Sequence, residues 1–305
     1  MNFANVKNWV IPQGNVKKVM DSQNRIIWEK ADYTEPFYVE NITQNNETLS
    51  IQKDNNIAPT LTIEYSLDKS TWSTLGNTST NSLTYSLNPG DKLYLRCNTT
   101  KWSDYTEGEG VTYGNNTITG VSKVGGNIMS LLYGNSFTGN EVALRDIQDE
   151  FKNIFSNNTS LQSADSLLLP ATTLHLRSYM NMFENCTNLT SAPDLTPTVL
   201  ANGSCVQMFE GCSSLQRGPI IYAQTLAADS CIQMFVNCTS LNSITCLATD
   251  ISGVDSTFKW VENVGSTGTF YCASGMSNTW INDNRPWVGD WTGCGIPSGW
   301  TVVEV

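Results

Sequence analysis

One short phrase recurs at a fixed interval in the second half of the chain. It reads MFENCTNL, MFEGCSSL and MFVNCTSL, which places Phe183, Phe209 and Phe235 26 residues apart. The flanking residues keep the same offsets, since GSCVQMF at 203–209 reappears as DSCIQMF at 229–235. A period of about 20–50 residues is typical of a solenoid, whose units are too small to bury their own apolar face and bury it against their neighbours. The sequence therefore predicts a solenoid here.

The repeat extends past its three clearest copies. Residues 155–161 carry the same phrase with asparagine in place of cysteine, 28 residues before the next copy, which predicts a two-residue insertion in the LLLPATT stretch. Downstream, VDSTFKW at 254–260 aligns with ADSCIQM one period earlier, and Cys272 aligns with Cys246. We expect repeats over 155–273, with atypical end units that close the stacked core.

Each unit divides into two predicted elements. In LANGSCVQMFEGC the apolar residues are spaced as one face of a short helix, with Asn202 or Ser204 as its N-cap and Gly211 near its C-terminal end. Those apolar residues are Leu200, Cys205, Met208, Phe209 and Cys212. The following SSLQRGPII is a brief extended run, too broken for a second helix. One helix and one strand per turn is the architecture of a leucine-rich repeat.

The repeated phrase resembles a known family. The pattern (A/M)F-x-x-C-(T/S)-x-L, followed by a short extended segment, a proline and a second helix, is similar to the BspA-type variant leucine-rich repeats of bacterial and phage surface proteins. Here methionine replaces the usual alanine before the phenylalanine, and Cys205 and Cys231 are additional. The resemblance covers the repeats and not the rest of the chain. It implies an α/β leucine-rich-repeat solenoid.

Residues 1–34 predict an anchor segment and a β-hairpin. VKKVM and RIIWE flank the polar loop DSQN, and two β-prone runs around such a loop indicate a hairpin. An isolated hairpin is marginal in water, so this one is expected to dock on another surface. The preceding Phe3, Val6, Trp9 and Val10 either pack against the next domain or anchor the chain in a partner. The phrases WVIPQGNVKK and IIWE resemble N-terminal stretches of proteins from gut Bacteroides phages, including crAss-like ones.

Residues 35–103 predict a β-sandwich. Six short β-prone runs, broken by turn-rich pieces, are FYVENI, TLSIQK, TLTIEYSL, STWSTL, SLTYSL and KLYLRCN. Trp72 and Tyr85 are candidate core aromatics. Immunoglobulin-like or fibronectin-like packing is expected, without the paired cysteines of antibody domains because only Cys97 is present.

Residues 104–154 are expected to link the sandwich to the solenoid. Their polar, glycine-rich start predicts a loop or small hairpin, Ile128–Tyr133 predicts a short buried strand, and LRDIQDEFKNIF at 144–155 predicts a helix that caps the solenoid. The acidic residues of that helix are expected on its outer face rather than in a catalytic site. They are Asp146, Asp149 and Glu150.

The tail, 274–305, is rich in tryptophan and ends in a predicted strand, IPSGWTVVEV. One interpretation is that these rings plug the open end of the solenoid, because aromatic side chains bury large areas. The other is an exposed patch that stacks on a sugar or receptor. Its candidate residues are Trp280, Arg285, Trp287 and Trp291.

Little in the sequence indicates catalysis. The one histidine, His175, falls at a repeat position and is expected on a solvent-facing helix surface. The nine cysteines are an odd number, and most fall at or near repeat positions, so we expect reduced core thiols rather than disulfides. Their spacing does not match a zinc site. No phosphate-binding or dinucleotide-binding motif is present, and we expect no enzyme, metal or cofactor.

Charge and hydropathy limit the kinds of partner that the chain is expected to bind. The chain of 305 residues carries a net charge of −11, and its lysines and arginines form no run longer than two, which disfavours nucleic acid. No apolar stretch approaches the ~20 residues that span a bilayer. The first residues lack the features of a secretory signal, so we expect folding in a cytoplasm unless a segment precedes them.

These features favour a bacteriophage virion protein, a head or tail fibre or decoration subunit made in the host cytoplasm. The N-terminal segment would contact other virion proteins, and the repeats would face a bacterial surface glycan or protein. By analogy with fibre proteins, a homotrimer is expected. The alternatives are a bacterial cell-surface adhesin of the BspA kind and an enzyme on a solenoid scaffold.

Overall fold

The computed structural model describes residues 18–20, 26–29, 32–79, 82–106, 112–283 and 295–305. The chain divides into two compact units, Met1–Asp32 and Tyr33–Val305. In the first unit, β1 (Lys18–Met20) pairs antiparallel with β2 (Ile26–Glu29), which confirms the predicted hairpin. The candidate anchor residues lie outside the described residues. They are Phe3, Val6, Trp9 and Val10.

The second unit begins with two β-sheets whose inward side chains share one core. Val39 and Leu93 from one sheet join Leu49 and Ile118 from the other, all fully buried. The strands of this region are β3 (Tyr38–Glu40), β4 (Glu47–Lys53), β5 (Thr62–Ser66), β6 (Ser73–Asn77), β7 (Leu83–Leu87), β8 (Lys92–Cys97), β9 (Ser103–Thr106), β10 (Thr112–Thr119) and β11 (Lys123–Asn127). The smaller sheet has the order β7-β4-β10-β9, and the larger sheet contains β11-β3-β8-β5-β6.

The six strands predicted in residues 35–103 are all present, as β3 to β8. Of the loop or small hairpin predicted after residue 104, the structure has the hairpin, because β9 pairs antiparallel with β10. The strand predicted at Ile128–Tyr133 is wrong. This buried stretch contains a short helix, α1 (Ser130–Tyr133). The Ser130 hydroxyl accepts from the Phe37 amide and donates to the Leu95 carbonyl, both at 3.0 Å, which ties the helix to two strands.

Only part of the predicted aromatic core is correct. Tyr85 packs against the core from a partly buried position. Trp72 is half-buried, because its ring lies at the surface beneath the guanidinium of Arg96, 4.1 Å away. The tryptophan that fills the core is Trp102, which is fully buried.

Residues 149–273 form stacked coils with three sides. One side is a parallel sheet, and a second consists of the two-residue strands β13 (Val199–Leu200) and β15 (Thr225–Leu226). The strands of the parallel side are β12 (Ser163–Leu168), β14 (Arg217–Ile221), β16 (Ser243–Cys246), β17 (Gly268–Cys272) and β18 (Trp300–Glu304). Single bridges through Ser191 connect β12 to β14. The predicted extended half of the repeat is therefore confirmed.

The third side is a ribbon of successive turns, and the helix predicted at this place is wrong. Within a coil, the Met182 amide donates to the Tyr179 carbonyl (3.2 Å), whereas the Phe183 amide donates to Met208 in the next coil (2.8 Å). Alternate amides thus bond within a turn and between coils. Every fourth residue has a positive φ, as at Asn181 (56°) and Asn185 (57°), and asparagine tolerates that left-handed backbone better than most residues.

The repeat positions form columns in the core. The rings of Phe155, Phe183, Phe209 and Phe235 stack at 5.2, 5.2 and 5.7 Å. The described cysteines are free and buried, as expected for core thiols. Those beside the ring column also donate to backbone, since Cys212 Sγ lies 3.1 Å from the Phe183 carbonyl oxygen. A parallel leucine column is fully buried as well, and its members are Leu161, Leu189, Leu215 and Leu241.

The two-residue insertion lies where the sequence predicts it. Ser163 pairs with Ser191, an offset of 28, whereas Thr173 pairs with Val199, an offset of 26. The extra residues therefore fall between 163 and 173, within the stretch that contains LLLPATT.

The sandwich continues directly into the solenoid on two sides. The last strand of its large sheet, β11, pairs parallel with β12 of the first coil. From the small sheet, the Trp102 and Ile118 amides donate to the Glu150 and Ile154 carbonyls at 2.8 and 2.7 Å. Phe37 of the sandwich stacks on Phe155 at 5.9 Å. The sandwich thus closes the solenoid. The capping helix predicted at 144–155 is wrong, because residues 144–149 are not helical and residues 150–155 form the first turn ribbon.

The other end of the solenoid is closed by aromatic side chains. The predicted degenerate unit is confirmed, because Cys246 pairs in register with Cys272 in β17. The predicted last strand is β18, parallel to β17. A short helix, α2 (Ser277–Ile281), carries Trp280 into the core. No helix in the described part of the chain is long and apolar enough to cross a bilayer.

Candidate functional site

The tryptophan patch predicted in the tail is not supported at Trp280. This side chain is fully buried, and its ring lies 5.3 Å from Trp260 and 4.9 Å from Phe270. Trp280 belongs to the end plug, and its ring is not available for stacking on a sugar. Arg285, Trp287 and Trp291 lie outside the described residues, so their part in such a patch stays a prediction.

Buried charges collect where the sandwich meets the first coil. Asp149 and Glu150 are fully buried, so the prediction that they face solvent on a helix is wrong. Asp149 makes a bidentate ion pair with Arg177, at 2.9 and 3.0 Å. Glu150 lies 2.8 Å from Nδ1 of His175. Each buried carboxylate thus has a basic partner from the second coil, as a buried charge requires.

His175 is half-buried and does not lie on a helix. Its Nδ1 atom faces both Glu150 and the Asp146 carbonyl. Burial raises the pKa of Glu150 above its usual range, and its contact with His175 opposes that shift. The second oxygen, Oε2, has no hydrogen-bond partner among the described residues.

The Lys152 ammonium is also buried in this junction. Nζ lies 2.7 Å from the centroid of the Tyr113 ring and has no hydrogen-bond partner in the described part of the chain. Burial lowers the pKa of Lys152 to about 7. Perturbed titratable groups are a common mark of functional sites, but ion-pair networks perturb them as well. Because Asp149, Glu150 and Lys152 are covered by protein, we interpret the cluster as a joint between sandwich and solenoid.

An exposed cluster beside the parallel strand β14 is more accessible to a ligand than the buried charges of the junction. Tyr222 follows β14, and Tyr33 begins the second unit; both side chains are exposed. Asp194 accepts a hydrogen bond from the Ile220 amide at 3.0 Å, beside the register shift in β14. Its carboxylate also lies 3.4 Å from the Arg217 guanidinium.

Tyr222 lies beside Asp194 because its amide donates to the Leu195 carbonyl at 3.1 Å, and Tyr33 is close enough to affect the pKa of Tyr222. Burial and the nearby Asp194 carboxylate raise the pKa of the Tyr222 hydroxyl, Arg217 opposes that shift, and Tyr33 adds to it. The cluster thus combines two exposed phenol rings, a carboxylate that accepts hydrogen bonds and a guanidinium that donates them. Aromatic rings with a polar end suit ligands that have both apolar and hydroxyl-bearing faces.

Sequence reasoning missed this cluster, although a signal was present. At the position of Tyr222 the neighbouring coils have Thr196 and, because of the register shift in β14, Leu247, and at the position of Arg217 they have serine. An outward position that departs from the repeat is not explained by the stacked core. Such departures therefore indicate a local role.

A second polar surface lies at the sandwich, in a cleft of about 290 Å³. Its wall includes Asp54 and Asn55, but these side chains already bond to protein. Asp54 accepts from Asn115 at 2.7 Å, and Asn55 donates to the Tyr113 carbonyl at 2.7 Å. We therefore favour the tyrosine cluster as the candidate binding site.

In comparisons with known proteins, no family model, no curated protein and no solved structure matched the chain. Within the described ranges, no group of three or more histidine, cysteine, aspartate or glutamate side chains is arranged to hold a metal ion.

Proposed function

We propose that the chain is a structural subunit of a bacteriophage virion, a head or tail fibre or decoration protein that presents its solenoid to the bacterial surface. The observation that carries the proposal is the group of Asp194, Arg217 and Tyr222 beside strands that continue the sandwich sheet into the coils, with the exposed Tyr33 close by. A ligand at this cluster would be held by a stiff support. A surface glycan fits its mixture of rings and polar groups.

We further propose that the coils belong to the BspA-type leucine-rich repeats and that the sandwich is immunoglobulin-like. In support of the first, the phenylalanine, cysteine and leucine of the shared phrase are the residues that build the core columns. In support of the second, the region has two sheets with a common core. The turn ribbon would make this chain a variant in which turns replace the helix.

The N-terminal unit, Met1–Asp32, is proposed to contact other virion proteins. It is a compact unit separate from Tyr33–Val305, and its described part is one short hairpin. Two paired strands alone are marginal in water, so a partner surface would stabilise them. Its sequence also carries the phrases that resemble phage proteins.

Glycan binding is tested with the full-length protein on an array of bacterial surface polysaccharides. We expect binding to at least one of them, and we expect Tyr222→Ala to weaken it by about fivefold or more, since stacking on a ring is worth ~1 kcal/mol or more. Val254→Ala is the control, because this exposed side chain lies on another side of the coils. Equal binding by Tyr222→Ala and the unmodified protein would contradict the assignment of the site.

The virion assignment is tested by mass spectrometry of gradient-purified phage particles from the culture that produces the chain. Peptides from residues 33–305 should be found in the particle fraction. Their presence in the bacterial envelope fraction alone would contradict the proposal and favour a cell-surface adhesin.

A further inference from the structure

The outer face of the parallel sheet is one continuous surface across four strands. In-register pairing of β14, β16, β17 and β18 aligns its side chains in two rows. The first row is Arg217, Ser243, Thr269 and Thr301, and the second row is Ile220, Thr245, Tyr271 and Val303. Because neighbouring strands lie ~4.8 Å apart, each row is ~14 Å long. We call these side chains the sheet face.

Both rows point away from the core. The residues that alternate with them, Ile221, Ile244 and Phe270, are fully buried, and Val302 packs against the core. Successive side chains of a strand point to opposite faces, so the two rows point outward. The helix α2 packs against β18 from the core side, since its Trp280 ring lies 4.9 Å from Phe270. Within the described part of the chain, the sheet face is therefore open to a ligand.

The sheet face is electrically balanced in a protein that carries −11. Its one charged side chain is Arg217, whose guanidinium lies 3.4 Å from the Asp194 carboxylate. Glu304 alternates with the outward residues of β18, and it accepts from the Ser277 amide of α2 at 3.1 Å. Asp250 lies beyond β16, where it pairs with β15 on another side of the coils. Neither an anionic nor a cationic ligand thus meets an unpaired opposite charge in the two rows.

Hydroxyl groups make up most of the sheet face, and the protein does not use them for its own packing. One coil earlier, the Ser191 hydroxyl donates to Ser163 at 3.1 Å. The hydroxyls of Ser243, Thr245 and Thr269 make no side-chain hydrogen bond to another described residue. A hydroxyl both donates and accepts, so these groups match a ligand that carries hydroxyls itself.

The same chemistry disfavours a protein partner. Protein interfaces have an apolar centre and a polar rim. On the sheet face the two aliphatic side chains, Ile220 and Val303, lie at opposite ends of one row, with Thr245 and Tyr271 between them. The centre of this surface therefore consists of hydroxyls and one partly exposed phenol ring.

We propose that the sheet face binds an uncharged polysaccharide as an extended chain that crosses the strands, with Tyr222 and Tyr271 as two separate stacking positions. The sheet face adjoins the candidate site, because Arg217 belongs to both. Tyr271 lies on β17, two strands from β14, which is a separation of about 10 Å. The two rings therefore contact different sugar units of one chain, while the hydroxyls between them bond to the sugar hydroxyls. This inference rests on the proposed glycan binding and adds to it the length and the charge of the ligand.

Calorimetric titration of the full-length protein tests the inference. The ligands are the disaccharide and the octasaccharide of an uncharged polysaccharide that the protein binds on the array. We expect the octasaccharide to bind about tenfold more tightly or better, because the longer chain reaches both rings. Tyr271→Ala should weaken octasaccharide binding by about fivefold or more, whereas Tyr271→Phe, which keeps the ring, should bind within about twofold of the unmodified protein.

Val254→Ala is again the control, and the melting temperature of each variant shows that it is folded. Equal affinity for the two fragments would overturn the inference, as would unchanged octasaccharide binding by Tyr271→Ala. In either case a loss of binding in Tyr222→Ala would leave the proposed site standing alone. Binding confined to polysaccharides that carry carboxylate or phosphate groups would overturn the inference as well. If no polysaccharide on the array binds, the proposed glycan binding and the inference are both wrong.

Discussion

The buried charged side chains of the first turn ribbon differ in the partners that they contact. Asp149 has a bidentate guanidinium partner, whereas Lys152 has an aromatic ring and no acceptor among the described residues. A buried ammonium without an acceptor loses its hydration, and only part of that loss is returned by the ring. Lys152 therefore costs stability when it is protonated, while Asp149 and Arg177 hold the junction together.

Replacing Lys152 by methionine is expected to stabilise the protein at pH 7. Burial lowers the pKa of Lys152 in the folded protein to about 7, from about 10.5 in the unfolded chain. Between these two values the unfolded chain binds more protons than the folded one, so the Lys152 contribution to stability rises with pH. Lys152→Met should raise the free energy of unfolding by about 1–4 kcal/mol at pH 7, allowing for the lost ring contact.

The measurement is urea denaturation of both proteins at pH 7, 8.5 and 10. The stability difference between variant and unmodified protein should shrink as the pH rises. Lys53→Met is the control, because it removes a lysine charge at the end of β4, where Nζ donates to the Thr60 hydroxyl at 3.3 Å. A difference that grows with pH would contradict the lowered pKa of Lys152.

The burial of a single residue was predictable where it follows from the repeat. It was not predictable where it depends on a segment that is distant in the sequence. The burial of Phe209 and Cys212 follows from the period alone. The burial of Asp149 and Glu150 depends on β9 and β10, which lie at least 30 residues away in the sequence. Local charge patterning therefore predicted these carboxylates at the surface, whereas the fold buries them.

The spacing of apolar residues in the repeat is compatible with two structures, a helix and a turn ribbon. Cys205, Met208, Phe209 and Cys212 have the spacing of one helix face, and the turn ribbon turns the same four side chains inward. Sequence composition held a signal against the helix. Asparagine or glycine stands at one position of every coil, and its φ is positive each time. Residues that tolerate a left-handed backbone at such an interval indicate turns, because an α-helix has no place for them. The members are Asn157, Asn185, Gly211, Asn237 and Asn263.

The ring column predicts the cost of a cavity. Phe209 is fully buried between Phe183 and Phe235, so Phe209→Ala removes two ring contacts and leaves a void that the stacked coils cannot close. We expect a loss of about 3–5 kcal/mol in the free energy of unfolding by urea denaturation. Gln216→Ala, at an exposed position of the same coil, should change it by less than about 0.5 kcal/mol. A small effect of Phe209→Ala would contradict the stacked column.

At the scale of the whole molecule, the large sheet of the sandwich continues into the first coil of the solenoid. The period predicted the coils, their insertion and their extent, because each of these follows from residue offsets. The way the sandwich closes the first coil could not be predicted, since it depends on pairing between β11 and β12 and on amides from the small sheet. Non-local pairing of this kind leaves no periodic trace in a single sequence.

Removal of one whole coil is expected to preserve the fold. Deleting residues 209–234 joins Met208 to Phe235 and restores the repeated MF phrase, so every remaining coil keeps its register. Stability in a solenoid is approximately a sum of units and their interfaces, and we expect a cooperative melting transition at a lower temperature. Deleting 209–221, half a period, breaks the register and should abolish that transition. Differential scanning calorimetry of both proteins distinguishes the outcomes, and failure of the whole-coil deletion to fold would contradict the repeat boundaries.

The end plug has a spectroscopic consequence. Trp260 and Trp280 stack with an interplanar angle of 22° and a centroid separation of 5.3 Å, and indole rings this close couple their electronic transitions. The resulting near-ultraviolet circular dichroism would vanish as soon as α2 leaves the core. Detachment of the C-terminal end would then change the near-ultraviolet signal before the far-ultraviolet signal of the coils is lost. The tryptophan pair thus reports local unfolding at this end of the solenoid.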